Sequence, residues 1–326
     1  AGRQAMLAHD QRPCLLGEHA LQDWLVPVLY QQMQTDETVL ARPVSPIPGN
    51  GDFPFPLEED AAPEQLPEQA RQLGDDGFIG RQQAVQQLER ARLRQPQAAF
   101  LIHGMAGVGK TTLTKGFLHW LRDTGGLDQQ VTQQVFWFSF DEIRSAEFVI
   151  NQLVDGIFGT DALAAPLEQK LAGLIKVFRE HPFLLIWDNF ESASGLAGTE
   201  VRPMLSEDDR GLLKELLAKL RGGKTKVLIT SRSTEKWLNT GECFRLPLSG
   251  LHGEELWQFC NQVLRDLGLR VKRDDEDFLA LIEELDGHPL ALRTVLFQLK
   301  EKNPAQLLAD LRKEFALVEG DESSKR

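Results

Sequence analysis

At 326 residues and 42% hydrophobic content, the chain is long enough for two domains and can fill their cores. A net charge of −12 and a pI near 5.2 give it no global attraction for nucleic acid or an anionic membrane. No apolar run of about 18 residues and no signal peptide is present, and Cys14, Cys243 and Cys260 stand far apart without CxxC or metal-ligand spacing, so the chain reads as cytoplasmic.

The chain opens at Ala1 rather than Met, which suggests a portion of a longer protein. Residues 1–40 include "LQDWLVPVLYQQ", an apolar, aromatic segment suited to a strand or a packed helix end. Residues 41–75 begin with "ARPVSPIPGNGDFPFPLEEDAAPEQLPEQ", which holds seven of the sixteen prolines. Such a segment resists helix and sheet, and it predicts a stiff, extended linker at a domain boundary.

From "FIGRQQAVQQL" onward, residues 76–250 alternate strand and helix patterns. Val85, Leu88 and Ala91 share one helix face, "AAFLIHG" predicts a strand, and "KTTLTKGFLHWLR" the helix after it. "QVFWFSF", two helices over roughly 146–180, "PFLLIWD", a helix striped by Leu212, Leu213, Leu216, Leu217 and Leu220, "KVLITSR" and "CFRLPL" complete the series. Continuously apolar strands between helices predict an α/β fold, a parallel sheet covered on both faces. After about 250 the strands stop. Leu256, Phe259, Cys260, Val263, Leu264 and Leu267 follow helical spacing, as do Phe278, Leu281, Ile282 and Leu285. Cys260 is expected to be buried as a small hydrophobe. Two further helices, at "GHPLAL" and near Leu307 to Phe315, make residues 251–320 a small all-helical domain.

"GMAGVGKTT", Gly104 to Thr112, matches GxxxxGK[ST] between the strand and helix that motif requires. Its glycines, Gly104, Gly107 and Gly109, and the Val108 backbone let N–H groups surround phosphate oxygens, aided by the helix N-terminus. Lys110 is expected to reach the β- and γ-phosphates, and the hydroxyl of Thr111, followed by Thr112, to ligate Mg²⁺. Asp188 ends an apolar strand expected to run beside the P-loop strand, where it would hold the same metal. Asn189 follows it and cannot abstract a proton, which leaves Glu191 as the nearby carboxylate. Arg232 closes a third apolar strand and would point toward the γ-phosphate. "FIGR" offers an apolar surface and backbone amides at the entrance, though a hydrophobic staple explains it equally well. "GHPLAL" reads as a helix-opening turn with Pro289 just inside.

In order, these segments resemble the STAND class of signalling NTPases, the group that includes NB-ARC and NACHT proteins. "FIGRQQAVQQL" resembles the hhGR motif, "GMAGVGKTTL" the Walker A, "LLIWDNFE" the Walker B, "KVLITSR" the sensor arginine and "GHPLAL" the GLPL motif. The resemblance covers roughly 76–300. It implies that the Ile79 backbone and Pro289 embrace the adenine of ATP or ADP, with Arg81 close by and Arg232 sensing the γ-phosphate. His288 stands where that motif often has leucine. "LQDWLVPVLYQQ" resembles the last strand of the caspase-like CHAT domains that precede some bacterial STAND modules. In that case the peptidase residues lie upstream, and His9, His19 and Cys14 are not a dyad.

What the resemblance implies is a nucleotide-dependent switch with slow hydrolysis. It would form homo-oligomers, respond to an unknown activating ligand and control an attached upstream effector, without membrane or nucleic-acid partners. The alternatives are an AAA+-type ATPase remodelling protein or DNA, with Arg202, Arg210 or Arg221 as a candidate finger, and a STAND transcription regulator. The latter needs a basic winged helix or helix-turn-helix, and no such element is visible in this acidic sequence.

Overall fold

Parallel strands buried on both faces are apolar along most of their length, and five segments of this chain are mainly apolar. The computed structural model describes residues 11–14, 17–20, 66–73, 78–127, 133–196, 199, 201–238 and 241–313. The chain divides into two compact units, Ala1–Pro56 and Leu57–Arg326. In the first, β1 (Gln11–Cys14) and β2 (Gly17–Ala20) form an antiparallel hairpin, Gln11 opposite Ala20 and Cys14 opposite Gly17. "LQDWLVPVLYQQ" and most of the proline-rich stretch lie outside the described residues.

The second unit opens with α1 (Glu68–Arg71), a single turn inside the segment expected to be linker. In this turn Leu66 and Ala70 are buried, and the Ala70 carbonyl meets the buried His119 ring nitrogen at 2.7 Å. Next come α2 (Gln82–Arg94), β3 (Ala99–His103), α3 (Lys110–Asp123), β4 (Val135–Ser139) and α4 (Ala146–Phe158). After these follow α5 (Leu167–Glu180), β5 (Leu184–Asp188), α6 (Glu191–Ser194), α7 (Glu207–Leu220), β6 (Lys226–Ser231) and β7 (Cys243–Pro247).

All five strands are parallel, in the order β4-β5-β6-β3-β7. The order corrects one expectation: β5 does not run beside the P-loop strand β3, because β6 lies between them. Apolar runs of this kind look alike in sequence, so nothing in "PFLLIWD" or "KVLITSR" ranks one nearer to β3.

The pleat sorts the side chains. Leu101, Leu185, Trp187, Val227 and Ile229 enter one core with Val149, Ile150 and Leu153 of α4, Phe178 of α5 and Leu213, Leu216 and Leu220 of α7. Helices α2 and α3 contact β7 and β6 respectively. Asp188 and Thr230 have the opposite parity to Trp187 and Ile229, so both turn away from that core. A one-residue register slip would bury Asp188 among aromatic rings.

Beyond β7 the described residues are helical: α8 (Gly253–Asp266), α9 (Glu276–Glu284), α10 (Pro289–Phe297), and a helix from 304 to 313. They share one apolar cluster containing Phe259, Cys260, Phe278, Leu281, Leu292 and Leu307. Cys260 is fully buried, and burial pushes its thiol up to about 12, while Cys243 in β7 is pushed to about 11. Both behave as small hydrophobes rather than nucleophiles.

Candidate nucleotide site

A cavity of about 400 Å³ opens where the P-loop, the segment before α2 and the start of α10 meet. Its lining includes the apolar Leu73, Phe78, Ile79, Leu251, Phe259 and Pro289 and the polar Lys110, Thr111, Glu191 and Arg232. Of the residues singled out from the sequence, Ile79, Arg81, Gly107, Val108, Gly109, Lys110, Thr111, Thr112, Glu191, Arg232 and Pro289 line it. Gly104 and Asp188 do not. Gly104 follows β3, and Asp188 sits behind Thr111.

Four P-loop carbonyls, of Gly104, Met105, Ala106 and Val108, accept hydrogen bonds from side chains. The Lys110 ammonium donates to the Gly104 and Met105 carbonyls, both at 2.9 Å. Burial lowers its pKa, and the charges of Glu191 and Asp188 counter the shift while Arg232 adds to it. Arg81 sits in the left-handed region at φ 63° and donates to the carbonyls of Val108 (3.1 Å), Ser249 (2.6 Å) and Gly250 (3.3 Å). Desolvation lowers the Arg81 pKa, with Glu255 opposing the shift. His288 caps α10 by accepting from the Ala291 N–H through Nδ1 (3.3 Å), which leaves Nε2 to donate to the Ala106 carbonyl at 2.7 Å. Through this contact the His288 side chain reaches the P-loop.

Gly107 lies at φ 73°, and a Cβ there would fall 2.7 Å from Leu290 Cδ2 and 2.8 Å from its Cβ. Gly107→Ala is therefore expected to cost about 1–3 kcal/mol from left-handed strain and overpacking against α10. Urea denaturation checks this; a cost no larger than the left-handed strain alone, about 1–2 kcal/mol, would mean that Leu290 yields freely.

Behind the P-loop, Asp188 is buried and takes hydrogen bonds from the hydroxyls of Thr111 (2.9 Å) and Thr230 (2.5 Å). Burial raises its pKa; the two hydroxyl bonds and the Asn189 N–H oppose the rise. Thr230 is a hub the sequence reading passed over: its hydroxyl also accepts from the Asn189 N–H at 3.0 Å, and its carbonyl from the Phe190 N–H at 2.9 Å. The only signal was a hydroxyl residue ending an apolar run. Asn189 lies at φ 56°, a region Asn tolerates better than most residues. After this left-handed turn Glu191 lines the site, while the Trp187 and Phe190 rings stack in the core with centroids 5.6 Å apart.

Glu191 is buried, and its Oε1 pairs with Arg232 Nε at 2.9 Å while Oε2 accepts from the Arg232 backbone N–H at 3.2 Å. The Thr111 hydroxyl and the Asp188 carboxylate form an oxygen pair suited to Mg²⁺, which takes few protein ligands and draws the rest from water and phosphate. Among the described residues no cluster of three or more His, Cys, Asp or Glu forms a self-sufficient metal site. No described helix is long and apolar enough to cross a membrane.

The sheet order, the glycine loop at the start of α3 and the paired Thr111 and Asp188 are the frame of a P-loop NTPase. The family model of the NACHT domain matches residues 98–266, from the start of β3 to the end of α8. The chain belongs to the NACHT domain family. Its NACHT domain is accordingly a nucleotide-binding P-loop NTPase, to which the described helices beyond 266 are an addition. Over 227 residues the chain is 22% identical to an uncharacterized WD repeat-containing protein of Nostoc sp. (strain PCC 7120), a match spanning 69% of this chain but only 18% of that relative. Among solved structures, a Walker-type ATPase of Pyrococcus abyssi matches with a TM-score of 0.49 at 15% identity, over 76% of each chain. An ORC2 protein of Aeropyrum pernix matches at 0.48 and 17% identity, over 78% of this chain and 70% of that one. Domain III of the replication initiation protein DnaA from Thermotoga maritima matches at 0.42 and 16%, over 74% and 95%.

Proposed function

We propose that this NACHT domain is a regulatory switch that binds ATP or ADP with Mg²⁺, hydrolyses ATP slowly, and passes its nucleotide state to the attached helices. The observation that carries this reading is the double wall of the cavity. The P-loop forms one side and the start of α10 the other, and His288 ties the two through the Ala106 carbonyl. A nucleotide seated there touches both parts, so a change at its phosphate end changes what holds them together. Moving such an equilibrium from 1:99 to 99:1 takes about 5.5 kcal/mol of differential binding. Contacts made by Arg232 only to a γ-phosphate are a source of that size. Bound Mg²⁺ would lie against Thr111 and Asp188 and neutralise phosphate charge.

Slow turnover follows from Glu191. It is the one carboxylate among the residues lining the cavity, and both of its oxygens are engaged by Arg232. A base held in an ion pair is a weaker proton acceptor, and general-base catalysis is then poorly served. Homo-oligomerisation in the ATP state, an activating ligand and an upstream effector complete the reading, on the strength of the STAND resemblance. That the Nostoc relative is a WD repeat-containing protein supports treating the NACHT domain as the regulatory part of a larger signalling chain.

Steady-state turnover of the wild type and Glu191→Gln tests this. We expect wild-type rates far below the ~10 s⁻¹ median of enzymes and mostly ADP bound after purification. Several turnovers per second without a partner, abolished in Glu191→Gln, would replace the switch with a motor.

A further inference from the structure

We propose that Glu235 is the positioning residue of the Arg232–Glu191 pair; the proposal rests on the reading of Arg232 as the γ-phosphate sensor. Glu235 lies in the loop after β6, 2% exposed, away from the cavity lining. Its Oε1 accepts from the hydroxyls of Ser231 (2.5 Å), Ser233 (2.8 Å) and Ser194 (3.1 Å), and its Oε2 from the Trp237 indole N–H (2.6 Å). Ser194 has the Phe190 and Gly195 carbonyls as further acceptors at 3.2 and 3.3 Å, and the carboxylate is the nearest of the three.

The arrangement is a closed circuit. Ser231 and Ser233 flank Arg232, so Glu235 grips the loop on both sides of the sensor residue. Ser194 closes α6, the turn that Glu191 opens. The two ends of the Arg232–Glu191 ion pair are therefore anchored to one carboxylate oxygen. Trp237, held by the other oxygen, packs on Phe190 at 5.4 Å, within the turn that delivers Glu191.

The backbone shows that this geometry is enforced. Glu235 sits at φ 46°, a conformation that costs a residue with a Cβ about 1–2 kcal/mol. Its own N–H is returned to the Ser233 hydroxyl at 3.0 Å, and the Ser233 N–H to the Ser231 hydroxyl at 3.0 Å. From β7, Arg245 donates to the Thr234 carbonyl at 3.3 Å and the Glu235 carbonyl at 3.4 Å. A strained, buried acid held by four donors is over-determined in a way a surface loop does not require. Through it, movement of Arg232 toward a γ-phosphate must either break the Glu191 pair or carry α6 along.

The test compares the affinities of the full chain for AMPPNP and ADP, with Mg²⁺, by calorimetry. In Glu235→Gln the amide cannot accept from Trp237 and from all three serines at once. We expect AMPPNP to weaken relative to ADP by about fivefold, the worth of one hydrogen bond, with ADP affinity kept within about twofold. Trp237→Phe, which removes one donor and keeps the ring, is expected to shift the same ratio in the same direction and guards against a Glu235 variant that does not fold. Arg232→Ala serves as the reference. If it shifts the ratio while both other variants lower the two affinities equally, or not at all, Glu235 is merely structural and the proposal is overturned alone. If Arg232→Ala leaves the ratio unchanged, the sensor reading itself fails and takes this proposal with it.

Discussion

Lys110→Ala should weaken both ATP and ADP binding by at least about a hundredfold, while leaving the fold intact. The ammonium lies at the first residue of α3, its Nζ 2.9 Å from the Gly104 and Met105 carbonyls, and is only 6% exposed. A phosphate bound there gains charge-assisted hydrogen bonds of about 1.5–3 kcal/mol each. Two such contacts amount to about 3–6 kcal/mol, and a hundredfold in Kd corresponds to about 2.7 kcal/mol, just below that range, so a hundredfold is the least loss expected. Alanine suits the helix position, and because Met105 is exposed and Gly104 half-buried, water can replace the lost ammonium, so the expected loss of stability is about 1 kcal/mol. Titration calorimetry with either nucleotide checks the affinity, and denaturation checks the fold. Wild-type affinity in this variant would remove the P-loop from the binding site and overturn the proposed function with it. Lys110→Arg is expected to restore little, because a guanidinium fork cannot occupy the space of a point charge between two backbone carbonyls.

The Lys110 site was legible because its chemistry is local. A glycine loop, a lysine and a threonine within nine residues need only a strand before and a helix after, and both are written in "AAFLIHG" and "KTTLTKGFLHWLR". Helix faces were legible for a similar reason: Val85, Leu88 and Ala91 of α2 and Phe259, Cys260, Val263 and Leu264 of α8 are buried as their spacing predicts. What stayed hidden depends on pairing between distant segments. The place of β6 between β3 and β5 is a choice among equally apolar strands, and it makes Thr230 rather than a P-loop residue the lateral neighbour of Asp188. The contact between His288 and Ala106 spans 182 residues, and no local pattern marks it. Glu235 was invisible for another reason. A glutamate in "TSRSTEKW" looks like solvated loop, and only a left-handed backbone with three hydroxyls turned inward makes its burial affordable.

Gly287→Ala should undo the junction that aims α10 at the P-loop, at a cost of about 3 kcal/mol or more. The Gly250–Leu251 segment leading into α8 crosses the Asp286–Gly287 turn leading into α10 at backbone contact. The Leu251 N–H donates to the Gly287 carbonyl at 2.7 Å. A Cβ on Gly287 would lie 1.9 Å from the Leu251 carbonyl oxygen, and one on Gly250 would lie 1.9 Å from that of Asp286. No rotamer change relieves a clash between two backbones, so the turn must open, and His288, Pro289 and Leu290 move with it. Gly287 also lies at φ 61°, and Gly253 supplies the control: it has φ 57° with nothing within 4 Å of its Cβ position. Gly253→Ala thus isolates the left-handed strain, about 1–2 kcal/mol, and the excess in Gly287→Ala measures the crossing itself. Urea unfolding gives both numbers, and nucleotide titration shows whether opening the turn also weakens binding. Equal costs for the two variants would mean that the crossing is soft and that α10 is aimed by its own packing. A larger loss in Gly287→Ala, accompanied by weaker binding of both nucleotides, would locate the mechanical link of the switch in this backbone crossing.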